Sequence, residues 1–334
     1  MKPTMNDVAR EADVALGTVS KVLNGDVTVK TALRDRVLLA CQTLNYQRNS
    51  IAASLRSKQT HTIGVVIPDI VNTFYATLVE RLEQLASAAG YTVIIVTTGE
   101  DALRADARIE ILRQRQVDGL IVIPSLNGSS HLASAIGEEM PCVIVDRIGS
   151  DDPYPNVATD NVDAAYQGTR YLLSLGHRHI VLAVNSPNLW NTKERITGFE
   201  HAIREGNARG EIRDVGMTVD AARNSLGELF QGENRPTALF TANNLVTLGA
   251  IHAQQDAKLT VPGDMSLLAF DDFEWLRLVR PAVSAIQQPI DQIAVDAWRL
   301  MFQQVSKRPI ATRNVRAGAQ LIIRQSTAAP QLRG

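Results

Sequence analysis

Short apolar runs, each four to six residues long and separated from the next by a helix-length stretch, recur along most of the chain. A strand that is buried on both faces is nearly continuously apolar, whereas a strand with one solvated face alternates between apolar and polar residues. The change from such runs to helical periodicity predicts an α/β fold built on parallel sheets. The runs span residues 63–67, 91–96, 119–123, 142–145, 180–184, 238–241 and 266–270, and the helical stretches include residues 76–89, 104–114, 164–175 and 196–205.

The same order of elements occurs twice in the chain. Residues 62–90 and residues 179–206 both have a strand pattern, a polar loop and a helix pattern. This repeat predicts two similar α/β lobes with a cleft between them. Because ligands of open α/β sheets bind beyond the carboxyl ends of the strands, the residues that follow the strands are candidates for a binding site.

Length and composition restrict the class of protein. The 334 residues are too many for one ordinary domain, and 45% hydrophobic with 21% charged residues is typical of globular proteins. No apolar run is long enough for a membrane span, and the amino terminus lacks the apolar stretch of a secretory signal, so we expect a cytoplasmic protein. Cys41 and Cys142 are far apart in apolar sequence, which predicts reduced core residues and no disulfide or metal site.

The first sixty residues are basic, although the whole chain is not. Nine lysines and arginines against five acidic residues give this segment a net charge of +4, which leaves −5 for the remainder of a chain of net charge −1. A basic segment on an acidic body indicates a local contact with a polyanion. A solvated basic face fits the charge count equally well.

Three short helix patterns lie in this basic segment, at residues 5–11, from Ala15 onwards, and at 31–44. The three residues between the first two helices are too few for an antiparallel hairpin and favour an angled helix-turn-helix. Asn24 and Gly25 end the second helix with residues suited to the left-handed conformation. Gly17 lowers helix propensity by about 1 kcal/mol relative to alanine, which predicts either a close backbone approach to a neighbour or a tolerated defect.

In sequence, this segment resembles the LacI/GalR family of bacterial transcription regulators. The resemblance rests on MNDVAR at 5–10, VALGTVSKVLN at 14–24, LNYQRN at 44–49 and IAASLR at 51–56. It implies that the helix from Ala15 lies in the major groove of DNA. The resemblance assigns base contacts to Leu16, Gly17 and Lys21, phosphate contacts or helix caps to Thr18, Ser20 and Asn24, and further DNA contacts to Thr4, Asn49, Ala52, Leu55 and Arg56.

Three departures from the family pattern leave the operator sequence open. Ala15, Asp13 and Arg48 stand where the family usually has Ser, Gly and Pro. The side chain of Leu16 varies widely among family members, so an exposed leucine that contacts nothing is an alternative for that position.

Residues 49–56 resemble the hinge helix of the family. Eight residues cannot hold an isolated helix in water, but two copies can fold together on DNA. The resemblance implies that Leu55 wedges between base steps in the minor groove. A linker helix with a solvent-facing Leu55 is the alternative, and Arg56 at the family position favours the wedge.

The resemblance covers the rest of the chain, through GVVIPDI at 64–70, VDGLI at 117–121, DN at 160–161, LGHR at 175–178, AN at 242–243, FDD at 270–272 and QQP at 287–289. It implies an N-terminal all-α helix-turn-helix headpiece plus a two-lobed periplasmic-binding-protein-like (type I) effector domain. We expect the headpiece at 1–48, the hinge helix and linker at 49–60, and the effector-binding and dimerisation domain at 61–330. Its two lobes are expected at 61–160 with 290–320 and at 161–289 with 321–330.

The ends of the predicted strands supply a candidate effector site. Acceptor-rich side chains beside aromatic residues suit a sugar or a sugar derivative, and the resemblance implies that Arg195 clamps a hydroxyl or acidic group of it. The candidate effector-binding residues are Asp69, Asn72, Phe74, Tyr75, Asp146, Arg195, Asn243 and Asp271. Ser125, Asn185, Ser186 and Trp190 lie near these positions in sequence, and Met217 or Val219 is expected where relatives carry an aromatic wall.

The sequence therefore predicts a transcription regulator, by family default a repressor, that binds a palindromic operator as a homodimer. We expect no enzymatic activity, cofactor or metal, because no phosphate-cradling loop, dinucleotide fingerprint, zinc motif or nucleophile elbow is present. We expect His177 and Arg178 to cap a helix end and to have no catalytic role, and Asp272 is as compatible with a cap as with the site. A solute-binding or sugar-processing protein with the same body and no DNA role is the alternative.

Overall fold

The computed structural model describes residues 3–23, 25–46, 59–125, 132–137, 139–149, 153–232 and 234–331. The chain divides into two compact units, residues 1–60 and residues 61–334. None of the described helices is both long enough and apolar enough to span a membrane.

The first unit contains helices α1 (Met5–Glu11), α2 (Leu16–Leu23) and α3 (Thr31–Thr43). Val8, Val19 and Val37, one from each helix, are fully buried and form the centre of its small core. Thr4 begins α1 with a capping box, in which its hydroxyl accepts from the backbone of Asp7 and its own backbone donates to the Asp7 carboxylate at 2.9 Å. The three helices that the sequence predicts are confirmed.

The turn between α1 and α2 is held by a side chain of α3. Asp13 adopts a left-handed conformation with φ of +47°, which is the geometry that glycine adopts at least cost. Arg36 donates to the Asp13 carbonyl at 2.9 Å and to its carboxylate at 3.1 Å. Gly25, with φ of +73°, follows α2 in the conformation that the sequence predicts there.

The second unit contains twelve strands and nine helices in the part of the chain described here. The strands are β1 (Thr62–Ile67), β2 (Thr92–Thr97), β3 (Gly119–Val122), β4 (Cys142–Val145), β5 (Asn156–Thr159), β6 (His179–Val184), β7 (Arg209–Asp214), β8 (Ala238–Thr241), β9 (Ser266–Phe270), β10 (Ser284–Gln287), β11 (Asn314–Ala317) and β12 (Gln320–Ile322). The helices are α4 (Thr73–Ala88), α5 (Ala102–Gln114), α6 (Leu132–Ile136), α7 (Asn161–Ser174), α8 (Trp190–Glu205), α9 (Val219–Gln231), α10 (Asn244–Asp256), α11 (Trp275–Leu278) and α12 (Ile290–Val305).

These strands form two six-stranded sheets with the same topology. The first lobe has the order β11-β5-β4-β3-β1-β2, and the second has the order β12-β10-β9-β8-β6-β7. All pairings are parallel except that of β10 with β12, which is antiparallel. The chain passes between the lobes three times, after β5, after β10 and between β11 and β12. The predicted repeat and the predicted type I fold are confirmed.

Helices cover both faces of each sheet, which explains the continuous apolar runs. Successive residues of β1 alternate between two cores: Val65 packs with α4 and α12, and Val66 packs with α5. In the second lobe α7 and α8 pack closely because Gly198 has no side chain. A Cβ at Gly198 would lie 2.1 Å from the carbonyl oxygen of Val162.

Two parts of the sequence reading are corrected by the structure. Strand β2 is not buried on both faces, because it lies at a sheet edge and half of its side chains are exposed. Strands β5, β7, β10, β11 and β12 were not predicted. These strands are short or lie at edges, and β7 has the polar sequence RGEIRD, so no apolar run marks them.

Candidate functional site

Helix α2 presents two different faces within the first unit. Val19 and Val22 point into the core, whereas Leu16, Gly17 and Lys21 are exposed. Leu16 retains 46% of its accessible surface, and no atom lies within 4 Å of the position that a Cβ of Gly17 would occupy. Gly17 is therefore not required by packing within this unit, and it keeps the exposed face of α2 narrow and open.

The other predicted DNA-contacting residues have different environments. Thr18 and Ser20 are half-buried on α2, and the hydroxyl of Thr4 donates to the carboxylate of Asp7 at 2.7 Å. Thr4 therefore has a structural role as the cap of α1. The remaining predicted residues lie outside the described residues: Asn24, Asn49, Ala52, Leu55 and Arg56.

A cleft of about 370 Å³ lies between the two lobes of the second unit. Its walls include all eight residues that the sequence nominates for effector binding, namely Asp69, Asn72, Phe74, Tyr75, Asp146, Arg195, Asn243 and Asp271. Asn185 and Met217 also line it, whereas Ser125, Ser186, Trp190 and Val219 do not border it. The sequence reading of the strand ends is therefore correct for some of the nominated residues and wrong for Ser125 and Ser186.

Arg195 is the central cation of the cleft. It comes from α8 and retains only 3% of its accessible surface. Its Nε donates to Asn161 at 2.8 Å, another of its nitrogens donates to the carbonyl of Ala242, and its guanidinium lies 3.6 Å from the ring centre of Phe270. Burial lowers the pKa of this arginine, and the neighbouring carboxylates of Asp271 and Asp146 oppose that shift.

Asp271 follows β9 and connects three elements of the second unit. Its carboxylate accepts from the backbone of Asn244 at 3.1 Å and from the side chain of Gln288 at 2.5 Å. Gln288 in turn accepts from the hydroxyl of Thr159 at 2.6 Å, where the chain passes between the lobes. Burial raises the pKa of Asp271, and Arg195 opposes this.

Asp146 occupies the opposite wall and contacts the second lobe directly. The carboxamide of Asn191 on α8 donates to both of its carboxylate oxygens, at 3.2 and 3.1 Å. Burial raises the pKa of Asp146, and the guanidinium groups of Arg147 and Arg195 oppose the shift.

Three asparagines form a second link between the lobes. Asn72 caps α4, and its side-chain oxygen also accepts from the side chain of Asn244 at 3.1 Å. Asn243 begins α10 and caps it through the backbone of Val246 at 2.8 Å. The oxygen of Asn243 is thus engaged in its helix cap, while Asn244 reaches across the cleft.

A buried ion pair supports the first-lobe wall. Arg147 donates to both oxygens of Glu100 at 2.7 Å, to the Tyr75 hydroxyl at 2.8 Å and to the carbonyl of Pro124 at 3.0 Å. Burial raises the pKa of Tyr75. For Arg147, burial opposes the charged form, but the neighbouring Tyr75, Glu100 and Asp146 outweigh it and raise the pKa.

Sequence reasoning nominated none of Glu100, Asn191, Asn244 and Gln288. Each lies one or more residues away from a strand end, in a loop, a first helical turn or a crossover. The amides at the start of α8 and α10 are the signal that was available, because polar residues in a first turn after a strand face the same edge of the sheet as the strand ends.

The pair His177 and Arg178 lies away from the cleft. Arg178 donates to the carbonyl of Leu173 in the last turn of α7, as predicted. His177 does not cap that helix: its ring contacts Thr237 and Ser266 and the carbonyl of Ala328, and burial lowers its pKa.

Asp272 has a structural role that the sequence did not indicate. Its carboxylate binds Arg324 through two contacts of 2.7 Å, and Arg277 lies 3.4 Å away. It is an ion-pair residue rather than a helix cap. Within the described part of the chain, no cluster of three or more His, Cys, Asp or Glu residues has the arrangement of a metal site.

Comparison with known proteins identifies the origin of this arrangement. The family of bacterial regulatory proteins, lacI family, matches residues 4–49, and the family of periplasmic binding proteins and sugar binding domain of LacI family matches residues 60–325. The chain belongs to the LacI family of bacterial transcription regulators. The headpiece match and the body match together span nearly all of it.

Individual members of the LacI family resemble the chain over its full length. Catabolite control protein A of Priestia megaterium is 31% identical, over 98% of this chain and 100% of that protein. The ribose operon repressor of Halalkalibacterium halodurans is 29% identical, over 97% of each chain. The crystal structure of the lac repressor dimer bound to operator and the anti-inducer ONPF has a TM-score of 0.87 at 23% identity, and covers 98% of this chain and 100% of that one.

Proposed function

We propose that this LacI-family regulator is a repressor that binds a palindromic operator as a homodimer and whose DNA affinity is set by a sugar or sugar derivative bound between its lobes. The observation that carries the proposal is the cleft itself. Carboxylates of Asp146 and Asp271, the guanidinium of Arg195 and the amides of Asn191 and Asn244 come together there from both lobes. Such a set of donors and acceptors around a small cavity matches a ligand with many hydroxyl groups.

The domain boundaries follow from this function. We assign the DNA-binding headpiece to residues 1–48, the hinge helix and linker to residues 49–60, and the effector and dimerisation domain to residues 61–330. The lobes comprise 61–160 with 290–320 and 161–289 with 321–330. The exposed residues of α2 are proposed to read base edges in the major groove, and Leu55 to wedge into the minor groove.

The dimer surface is proposed to lie at the edge of the first lobe. Strand β2 is an edge strand, its Ile95 is 42% exposed, and α4 packs beside it. An exposed edge with apolar side chains is a surface that proteins usually cover. Two-fold symmetry at this surface would place two headpieces on a two-fold symmetric operator.

The effector acts by changing the arrangement of the lobes. A ligand shifts an equilibrium only through its different affinities for the two states, and a ligand that touches both lobes has this property. The residues that line the cleft are hydrogen-bonded to the crossovers: Asp271 through Gln288 to Thr159, and Arg195 through Asn161. The cleft is therefore proposed as a binding site without catalytic activity, in a regulator that acts in the cytoplasm.

The test uses operator DNA obtained by selection from a random pool. Fluorescence anisotropy is measured with the full chain and with residues 61–334, and then with the full chain in the presence of neutral sugars, sugar acids and sugar phosphates. We expect the full chain to bind, the truncated chain to lose binding, and at least one compound to shift the affinity. Equal DNA affinity of the two proteins would contradict the assignment of the headpiece. A mass of one or four chains in sedimentation at micromolar concentration would contradict the homodimer.

A further inference from the structure

One corner of the cleft contains two buried polar atoms that have no hydrogen-bond partner among the described residues. These are the side-chain oxygen of Asn191 and the Nε of Arg147. Both residues border the cleft, and both are in contact with Asp146. A buried donor or acceptor that is left without a partner destabilises the arrangement that buries it. This corner, formed by Asp146, Arg147 and Asn191, is therefore incomplete without a further group.

The three residues of the corner come from opposite sides of the cleft. Asp146 and Arg147 follow β4 in the first lobe, whereas Asn191 lies in the first turn of α8 in the second. The Asn191 amide donates to the Asp146 oxygens at 3.1 and 3.2 Å, and the Nε of Arg147 lies 3.9 Å from the nearer oxygen. A group inserted at this point would replace the direct contact of Asn191 with Asp146 and would touch both lobes.

Arg147 cannot turn away to satisfy its own Nε. Its two terminal nitrogens are held by Glu100, Tyr75 and the carbonyl of Pro124. The planar guanidinium is thus fixed at its far end, and the direction of its Nε–H is fixed with it. The corner offers one rigid donor in Arg147, one free acceptor in Asn191, and the spare lone pairs of Asp146.

We propose that this corner is a subsite for a neutral hydroxyl group of the effector, or for two hydroxyls on adjacent carbons. A hydroxyl both donates and accepts, so it satisfies Arg147 and Asn191 together. A carboxylate or phosphate could accept from Arg147 but would lie against the carboxylate of Asp146. An ammonium group could donate to Asn191 but would lie against the guanidinium of Arg147.

This inference rests on the proposed function and narrows its ligand class. The portion of the effector that enters the corner is uncharged and hydroxylated, and it bridges the lobes in place of the direct contact between Asn191 and Asp146. Asn191 and Arg147 are then specificity-determining residues, because they decide which chemical group the corner accepts.

The first experiment finds a ligand with isothermal titration calorimetry on the full chain. The probes are D-ribose, D-glucose and D-galactose, the acids D-glucuronate and D-gluconate, D-glucose 6-phosphate and D-glucosamine. Each compound that binds is repeated on Arg195→Lys to show that it occupies the cleft. If no probe binds in an Arg195-dependent manner, the sugar-regulated cleft of the proposed function fails, and this inference fails with it.

The second experiment tests the corner with the strongest ligand and two substitutions. Asn191→Asp places a second carboxylate beside Asp146, and Asn191→Ala removes the acceptor. We expect both to weaken binding by about tenfold, the scale of one hydrogen bond in a desolvated site. Asn188→Asp is the matched control: it adds the same charge three residues away, on an exposed side chain outside the cleft walls, and should change the affinity by less than about twofold.

Monodeoxy analogues of the strongest ligand identify the group in the corner. One analogue should lose about tenfold in affinity for the natural chain and lose nothing further in Asn191→Ala, because the two changes remove the same contact. Natural affinity in both Asn191 variants would overturn the corner while leaving the proposed function intact. Tighter binding of D-glucosamine to the natural chain than of D-glucose, reversed in Asn191→Ala, would also overturn it, since it would place an ammonium group there.

Discussion

Asp146 and Asp271 occupy equivalent positions in the two lobes. Each is the first residue after the third strand from the crossover edge of its sheet, β4 in one lobe and β9 in the other. Both have a left-handed backbone, with φ of +67° and +77°, and both are buried, at 3% and 5% exposure. Residues other than glycine rarely adopt this conformation, although aspartate does so more readily than most. The repeat of the fold thus delivers one strained carboxylate to each wall of the cleft.

Replacement of Arg195 should affect both stability and effector response. Its removal leaves the carboxylates of Asp146 and Asp271 without their shared counter-charge, and breaking a buried ion pair costs about 3–5 kcal/mol. We expect Arg195→Ala to lower the free energy of unfolding by an amount in this range and to abolish the effector response. Chemical denaturation and operator titration measure the two effects. Arg195→Lys keeps the charge and should recover most of the stability without the response, and operator affinity without effector should be retained by the folded fraction of either variant. A normal response in Arg195→Ala would show that the site is elsewhere.

The stability of the body should depend on pH through Asp146. Burial raises its pKa in the folded state above the ordinary value of 3.8, so the folded state holds this proton more tightly than the unfolded state. The resulting stabilisation is complete below pH 3.8 and is lost as the pH rises through the folded-state pKa. The free energy of unfolding of the natural chain should therefore fall relative to that of Asp146→Asn as the pH rises from 3.5.

Urea denaturation of both proteins across this pH range measures the difference. The difference should persist in 0.5 M salt, because salt screens a buried group much less than exposed ones. A difference that is constant with pH, or that changes in the opposite direction, would contradict the raised pKa of Asp146.

Gly17→Ala should stabilise the headpiece and weaken specific DNA binding. No atom lies within 4 Å of the Cβ position, so the methyl group meets no obstruction in the unit itself, and alanine is favoured over glycine in a helix by up to about 1 kcal/mol. The same methyl group projects from the face proposed to read base edges. Thermal unfolding of the headpiece and operator titration at several salt concentrations separate the two effects. Unchanged operator affinity would show that Gly17 does not approach the DNA.

The sequence predicted the elements whose burial is continuous and missed those at the edges. Strands β4, β8 and β9 coincide with their apolar runs because helices cover both of their faces. Strand β7 exposes alternate polar residues at an edge, and β12 has only three residues, so neither leaves an apolar run in the sequence. Their positions are fixed by pairing with a neighbouring strand that is distant in sequence, which local periodicity does not encode.

The candidate site was predictable to the same extent. Asp146 and Asp271 follow strands, so topology alone sends them to the cleft. Asn191 and Asn244 become part of it only through the approach of one lobe to the other, where they meet Asp146 and Asn72. The distance between the lobes depends on three crossovers and on the packing around them, and no spacing within the sequence reports it.

The hydrogen bond between Asn244 and Asn72 should favour the closed arrangement of the lobes. It joins α10 of the second lobe to the cap of α4 in the first at 3.1 Å. In Asn244→Ala the backbone of residue 244 still reaches Asp271, and Asn72 still caps Phe74, so the substitution removes only the contact across the cleft. One hydrogen bond contributes about 1 kcal/mol net, which corresponds to roughly a fivefold change in the ratio of open to closed protein.

Distances between spin labels on the two lobes, measured by double electron–electron resonance after replacement of Cys41 and Cys142 by serine, report this ratio. Asn244→Ala should increase the population with the longer distance, and a saturating effector should restore the shorter one. Gln255→Ala, on an exposed position of the same helix, is the matched control and should leave the distribution unchanged. If Asn244→Ala has the distance distribution of the natural chain, the contact forms only as a consequence of closure. The packing at the crossovers, rather than the cleft residues, would then set the balance between the two arrangements.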